Sequence, residues 1–262
     1  MAELKRAGLG LAAVSYDAVP ILADFSARRG ITFPLLSDVG SGIIRAYGIL
    51  NTTVPASNRQ QYGIPFPGTF MLDRTGAVTS RYFEQAYQER TAMSTVMVRL
   101  GQTIRAEATR AKGSYLELTT YATDQVAAPG THFSVVMDVK PASKVHVYAP
   151  GVTGYKPIAL RIDAQPGLVV RDAQFPAPED YFFAPLEEHV AVYSKPFRIV
   201  QDLMIDPSPQ AAKTLEGMTS LTVKGVLDYQ ACNDKECFLP QSIPLTWTVA
   251  LKPLDRERAR QP

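Results

Sequence analysis

The first hundred residues alternate between apolar runs and helical periodicity. Residues 9–15 form a continuous apolar run, which is typical of a parallel strand buried on both faces. Asp17 can cap a following helix that holds Pro20 in its first turn and ends at Gly30. A helix, two strands and a closing helix are expected at residues 41–47, 68–73, 77–83 and 90–100. This order predicts an α/β domain over residues 1–101.

Beyond Gly113 the helical patterns stop, and apolar residues alternate with polar or smaller ones. The alternation has the period of half-buried strands, and it covers residues 133–139, 158–162, 221–227 and 243–249. Proline and glycine interrupt these runs at the spacing of a β-sandwich. The pattern predicts an all-β sandwich over residues 114–252, preceded by a polar, basic linker at 102–113 and followed by a charged tail at 253–262.

The composition is that of an ordinary globular protein, with 46% hydrophobic residues, 20% charged residues and a net charge of +2. No basic cluster indicates nucleic-acid binding. No apolar run reaches the roughly 18 residues of a membrane-spanning helix, so direct membrane insertion is not expected. The three histidines, His132, His146 and His189, lack metal-site spacing relative to the cysteines. We therefore expect neither a metal nor a cofactor.

Cys232 and Cys237 are the only cysteines of the chain. They lie between two alternating runs, residues 221–229 and 243–251, and residues 233–236 between them have the composition of a turn. Facing residues of such a hairpin lie roughly 4.5–5.5 Å apart at Cα, within reach of a disulfide. Closing so short a ring stabilises the fold by only roughly 2 kcal/mol. The pair therefore suits reversible electron transfer, although a structural clip or two reduced thiols would have the same spacing.

The cysteines lie in the segments 229–232 (YQAC) and 237–240 (CFLP). These segments resemble the active-site hairpin of the periplasmic N-terminal domain of DsbD, the transmembrane thiol:disulfide interchange reductase. Further similar segments follow the family's order, at residues 146–150, 155–160, 175–178 and 192–196. The resemblance covers roughly residues 113–252 and implies an immunoglobulin-like sandwich. It also implies that the pair receives electrons from a membrane reductase and passes them to thioredoxin-like acceptors in the periplasm.

The same resemblance assigns roles to individual residues. Cys237 would exchange with partners and Cys232 would resolve the mixed disulfide. An aromatic loop would cover the pair until a partner displaces it, through Phe182 or Phe183. Three tyrosines could line the same site, namely Tyr148, Tyr155 and Tyr229. The alternative is that the aromatic loop packs on its own strands and that the tyrosines have no functional role.

The first domain resembles thioredoxin-fold proteins of the peroxiredoxin (AhpC/TSA) type over roughly residues 2–100. The matching segments are 14–17 (VSYD), 30–38 (GITFPLLSD), 44–48 (IRAYG) and 64–73 (IPFPGTFMLD). The resemblance implies that Pro67 is the cis-proline beside a redox site; the alternative is a trans proline that starts a strand. Members of this family carry a reactive cysteine on the first helix, whereas this chain has no cysteine before Cys232. We expect a fragment that lacks the first strand and the cysteine helix, with a degenerate scaffold as the alternative.

Three functional hypotheses follow. The leading one is a periplasmic thiol–disulfide oxidoreductase that uses Cys232 and Cys237, with its export signal outside this sequence. The second is a thiol peroxidase whose peroxidatic cysteine lies upstream of the sequence. The third is a non-enzymatic β-sandwich binding module with a structural disulfide.

Overall fold

The computed structural model describes residues 2–59, 61–83, 89–102, 107–183 and 187–252. The predicted tail at 253–262 and part of the predicted linker, 103–106, lie outside these ranges. The chain divides between residues 91 and 92 into two compact units. None of the described helices is long and apolar enough to cross a membrane.

The first unit combines a parallel strand pair with an antiparallel hairpin. Its elements are α1 (Ala2–Arg6), β1 (Ala13–Ser15), α2 (Val19–Arg29), β2 (Leu35–Ser37), α3 (Gly42–Ala46), β3 (Gly68–Leu72), β4 (Val78–Phe83) and β5 (Arg90–Thr91). β1 and β2 run parallel and α2 connects them, whereas β3 and β4 form the hairpin. This arrangement confirms the predicted α/β character of the first part of the chain.

The predicted end of α2 is confirmed, but the predicted capping residue at its start is wrong. Gly30 ends the helix as expected, with φ +60° in the left-handed region that glycine adopts readily. Asp17 does not cap its start. The N-cap residue is Ala18, without a side-chain hydrogen bond, and the Asp17 carboxylate instead accepts a 2.6 Å hydrogen bond from the Ser15 hydroxyl.

The second unit is a sandwich of β-sheets. Its elements are α4 (Met93–Arg99), β6 (Thr109–Lys112), β7 (Leu116–Ala122), β8 (Val126–Ala127), β9 (Thr131–Pro141), β10 (His146–Tyr148), β11 (Ala159–Ile162), β12 (Leu168–Gln174), β13 (Glu179–Phe183), β14 (Glu188–Tyr193), β15 (Phe197–Ile205), α5 (Pro209–Thr214), β16 (Ser220–Tyr229), β17 (Ala231–Cys232) and β18 (Gln241–Leu251). The first sheet has the order β12-β15-β9-β7-β6, the second β11-β16-β18-β8, and the third β13-β14-β10-β17. The predicted all-β second part is confirmed.

The core of this unit lies between the first and second sheets. Alternate residues of β9, such as Phe133 and Met137, pack in one cluster with alternate residues of β16 and β18, such as Val223 and Trp247. The Trp247 indole Nε1 donates a 2.8 Å hydrogen bond to Thr120 Oγ1 on β7, which joins the two sheets. The period of two seen in the sequence therefore marks the inward faces of the sandwich.

The helix α4 groups with the second unit, although its pattern led us to place it at the end of the first domain. The Thr95 side chain forms a 3.1 Å hydrogen bond with Ser134 on β9, and Ser134 donates a 2.6 Å bond to Asp202 on β15. Arg99 forms an ion pair with the same carboxylate. These contacts explain why the helix belongs with the sandwich.

Candidate functional site

The two cysteines form a disulfide, and their Cα atoms are 4.0 Å apart. They face each other as an isolated antiparallel pair, in agreement with the prediction from their spacing. Two backbone hydrogen bonds flank the pair: the Asn233 N–H donates to the Glu236 carbonyl over 3.0 Å, and the Phe238 N–H donates to the Ala231 carbonyl over 2.8 Å. This pattern is that of the narrow, non-hydrogen-bonded pair of an antiparallel ladder.

Asn233 organises the turn between the cysteines. Its side-chain oxygen Oδ1 accepts hydrogen bonds from the N–H groups of Lys235, at 2.8 Å, and Glu236, at 2.9 Å. An asparagine side chain that bonds to the backbone two residues further on mimics a backbone turn. The residues between the cysteines are therefore held by local polar bonds.

The cysteines lie in the connection between β16 and β18, near the tip of that hairpin as predicted. The hairpin ladder ends at the pair Tyr229–Gln241. The chain then joins the third sheet, where Ala231 pairs with Val147 and Cys232 pairs with His146 on β10. Cys232 therefore lies on an edge strand of a different sheet.

The two sulfur-bearing residues differ in their exposure. Cys232 is only 1% exposed and packs in a hydrophobic cluster with Tyr148, Val190 and Val192. Cys237 is exposed. A thiolate arriving from solvent therefore reaches Cys237 before Cys232.

Tyr148 brings a hydroxyl group to the exposed cysteine. The Tyr148 Oη and Cys237 Sγ atoms are 3.5 Å apart. Burial raises the pKa of Tyr148 above its usual value, and the neighbouring Tyr155 and Glu188 raise it further. The hydroxyl therefore keeps its proton near neutral pH and is available as a hydrogen-bond donor.

Tyr155 stacks on Tyr148 with 4.2 Å between the ring centroids. Its hydroxyl donates a hydrogen bond to Glu188 on β14, and this bond, followed by partial burial, raises the pKa of Tyr155. The structure thus brings together two of the three tyrosines expected at the site.

Two further residues of the site, His146 and Tyr181, were not predicted. The His146 ring is buried and lies 5.5 Å from the Tyr148 ring and 4.4 Å from the Tyr181 ring, measured between centroids. Burial lowers the pKa of His146, against an opposing effect of Asp234. The Tyr181 hydroxyl donates a 2.8 Å hydrogen bond to Asp234 Oδ1, in the turn between the cysteines. Tyr181 therefore links β13 to that turn.

The expected aromatic cover by Phe182 requires a correction, whereas cover by Phe183 stays a prediction. Phe182 is 52% exposed, and its ring contacts His189 at a centroid distance of 5.0 Å. Side chains alternate along a strand, so Phe182 lies on the face of β13 opposite Tyr181. Phe183 lies on the same face of β13 as Tyr181, and it pairs with Glu188 on β14. Within the part of the chain that the structure describes, Tyr181 is the aromatic residue of β13 that packs on the cluster around Cys232. The next three residues of the predicted loop, 184–186, lie outside the described ranges.

Tyr229 is fully buried in the sandwich core, and not at the cysteine site as expected. Its hydroxyl donates a 2.7 Å hydrogen bond to Gln241 Oε1 across the last pair of the hairpin. The side chain points into the sandwich because β16 keeps its alternation up to that residue. Tyr229 therefore supports the strand that precedes the cysteines.

Pro67 also differs from the expectation. None of the described peptide bonds is cis, so Pro67 follows a trans bond. The preceding segment is already extended: Pro65 pairs with Leu50, and the Phe66 N–H donates a 2.7 Å bond to the Ile49 carbonyl. Extended chain leads directly into β3 and needs no reversal at Pro67. No cysteine lies in residues 1–91, so this unit contains no thiol for the proline to adjoin.

Two families match successive parts of the chain. Residues 1–81 match the AhpC/TSA family. Residues 117–246 match the family described as thiol:disulfide interchange protein DsbD, N-terminal. The second match includes both cysteines and the strands that position them.

Several solved structures are similar to parts of the chain. The N-terminal periplasmic domain of ScsB from Proteus mirabilis is 15% identical, with a TM-score of 0.38, over 54% of this chain and 51% of that one. The yeast GGA1 GAE domain is 10% identical, with a TM-score of 0.30, over 54% and 98% of the two chains. AggA, the major subunit of aggregative adherence fimbriae type I from Escherichia coli, is 11% identical, with a TM-score of 0.25, over 58% and 99%. No curated protein matches the sequence. The chain spans about half the length of the ScsB domain.

Proposed function

Since the chain joins a region of the AhpC/TSA family to a region of the DsbD N-terminal family, we propose that Cys232 and Cys237 are a redox-active pair. The pair cycles between disulfide and dithiol and passes electrons between thiol–disulfide exchange proteins. The observation that carries the proposal is a disulfide with one buried and one exposed cysteine, within the region that matches a thiol:disulfide interchange family.

Electron uptake begins at Cys237 in this mechanism, because Cys237 is exposed and Cys232 is buried. A donor thiolate attacks Cys237 Sγ and forms an intermolecular disulfide with it, while the Cys232–Cys237 bond breaks and its electron pair leaves on Cys232. A second donor thiolate then closes the donor's own disulfide and releases Cys237 as a thiolate. The two released thiolates take up the protons that the donor thiols lost, so two electrons have moved to the pair.

Tyr148 assists the second step. Its protonated hydroxyl lies within reach of Cys237 Sγ and can donate a hydrogen bond to the sulfur as negative charge develops there. The stacked Tyr155, held by Glu188, keeps the Tyr148 ring in position. Tyr148 therefore favours release of Cys237 as a thiolate.

We place this activity outside the cytoplasm, in the periplasm, where the proposed donor is a membrane reductase and the acceptors are thioredoxin-like. The peroxidase alternative requires a cysteine outside residues 1–231, since that stretch contains none. The binding-module alternative differs from the proposal in one measurable respect, because it makes the disulfide structural.

An equilibrium titration in dithiothreitol or glutathione buffers, with thiols trapped and counted, tests the proposal on the full chain. We expect a midpoint between about −120 and −270 mV, the range of exchange catalysts. The variant in which both cysteines are replaced by serine shows the background of the trapping reaction. A midpoint below about −300 mV would instead identify a structural bond and favour the binding module.

A further inference from the structure

The backbone of Cys237 forms a free edge of the third sheet. Cys232 and Cys237 are a non-hydrogen-bonded pair, as the flanking bonds Asn233–Glu236 and Phe238–Ala231 show. In such a pair, the N–H and C=O groups of each residue point away from the facing strand. Those of Cys232 face β10, and those of Cys237 face outwards. No group among the described residues bonds to the N–H or the C=O of Cys237.

Leu239, two residues further on, is 85% exposed. Its neighbours hold it in place. Phe238 stacks on Tyr115 with 4.0 Å between centroids, and its carbonyl accepts a 3.0 Å bond from the Gln230 side chain. On the other side, Gln241 is bonded to the Tyr229 hydroxyl. Isolated exposed leucines are common on protein surfaces. Here, however, the residues on both sides of the exposed leucine are held in place, and the leucine lies two residues from the exposed Cys237.

We propose that the edge formed by Cys237 and Leu239 is a docking surface for an extended segment of a protein thiol-exchange partner. The partner's segment adds to the sheet through the outward backbone groups of Cys237 and covers the Leu239 side chain. This inference rests on the proposed function, because exchange requires a partner sulfur to approach Cys237 Sγ. The backbone beside the partner's cysteine then necessarily comes close to the Cys237–Leu239 edge.

The edge accepts only a short segment. Charged residues, Asp234, Lys235 and Glu236, occupy the turn on one side of it, and Pro240, which has no N–H group, follows on the other. Charges and prolines of this kind prevent the extended edge-to-edge pairing that leads to aggregation. A small thiol reagent uses neither the backbone groups nor Leu239, so the surface discriminates protein partners from small thiols.

The test compares two reductants on the full chain, reduced thioredoxin as the protein probe and dithiothreitol as the small one. For the Leu239→Ser variant, we expect the second-order rate constant with thioredoxin to fall about tenfold, because a buried leucine contact is lost. The rate constant with dithiothreitol stays within about twofold. Leu239→Met, which keeps an apolar side chain, restores the thioredoxin rate. Met218→Ser, at an exposed apolar residue between α5 and β16, is the matched control and changes neither rate.

The other outcomes are also informative. An unchanged thioredoxin rate for Leu239→Ser would overturn the docking surface and leave the proposed function intact. An equal fall with both reductants would also overturn it, because Leu239 would then merely support the local fold. A wild-type pair that reacts no faster with thioredoxin than with dithiothreitol would also overturn the docking surface. A midpoint in the equilibrium titration that lies in the range of structural disulfides would contradict the proposed function itself, and the docking surface with it.

Discussion

His146 is a buried titratable residue that pairs with Cys232 in the β10–β17 ladder. Its ring contacts the rings of Tyr148 and Tyr181, and the negative charge of Asp234 in the turn acts on it. Burial lowers its pKa, so the folded protein binds the proton more weakly than the unfolded chain does. His146 therefore makes the free energy of unfolding depend on pH.

The direction of that dependence follows from proton linkage. Below the pKa of the unfolded chain, about 6.5, the unfolded state binds more protons at His146, so stability falls on acidification. We expect the free energy of unfolding of the oxidised protein to fall between about pH 7.5 and 5.5, with a His146 contribution of at most about 1.4 kcal/mol per pH unit. His146→Phe keeps an aromatic ring and should flatten the slope. Urea unfolding at several pH values measures it.

The titration of carboxylates does not interfere with the measurement of the His146 slope. Hydrogen bonds and ion pairs lower the pKa values of Asp38, Asp73, Glu179 and Asp228. Their contributions are therefore present above the ordinary carboxyl range and are lost mainly below about pH 5. Stability that kept its full slope in the His146→Phe variant would show that His146 is not the titrating group.

At the scale of single residues, the sequence predicted part of the candidate site. The cysteine pair was visible from its spacing, and Tyr148 and Tyr155 from the segments shared with a known family. Tyr181 and His146 were missed because their role depends on which strands are neighbours. Alternation shows that Tyr181 and Phe182 lie on opposite faces of β13, but it does not show which face meets the cysteines.

The elements around the site were predictable in proportion to their length. The runs at residues 221–229 and 243–251 correspond to β16 (Ser220–Tyr229) and β18 (Gln241–Leu251). In contrast, β10 has three residues and β17 has two, which is too short for a period of two to be recognised. The third sheet, and the pairing of Cys232 with His146 within it, were therefore not predicted from the sequence.

The turn between the cysteines carries its own prediction. Two bonds to Asn233 Oδ1 hold the turn, so they keep the reduced thiols close together and favour the disulfide. Asn233→Ala removes the acceptor. We expect the thiols to meet about three- to tenfold less often, which raises the midpoint potential by roughly 15–30 mV. The titration that tests the proposed function also measures this shift.

Asn233→Asp is the matched variant, because its carboxylate keeps an acceptor oxygen at the same position. Its midpoint should remain closer to that of the wild type than the midpoint of Asn233→Ala. Equal shifts in the two variants would show that the hydrogen bonds of the turn do not set the equilibrium.

At the scale of the whole molecule, the important difference from the sequence-based expectation is the boundary between the two units. Residues 90–100 have the pattern of a helix that closes the preceding α/β domain, but a helical pattern does not identify the surface that covers it. The structure assigns α4 to the second unit, with Thr95, Val96, Met97 and Val98 all buried. Its polar partners, Ser134 and Asp202, are buried residues of the sandwich.

This boundary predicts how shortened chains behave. A chain of residues 92–252 keeps α4, whereas a chain of residues 107–252 loses it and leaves Ser134 and Asp202 without Thr95 and Arg99. Asp202 loses its ion-pair partner Arg99, and a buried polar group that loses its partner costs about 1–3 kcal/mol. The weaker bond between Thr95 and Ser134 is lost as well. We expect the shorter chain to unfold at a temperature at least about 5 °C lower, as measured by circular dichroism with the disulfide intact.

The sandwich transition of the full-length protein provides the reference. If α4 is an integral part of the sandwich, the 92–252 chain should unfold at nearly the same temperature as that transition. Asp202→Asn in the 92–252 chain should lower its unfolding temperature, because the amide cannot replace the ion pair with Arg99. Equal unfolding temperatures for the 92–252 and 107–252 chains would instead show that α4 does not stabilise the sandwich. The boundary between the two units would then lie in the predicted linker, residues 102–113.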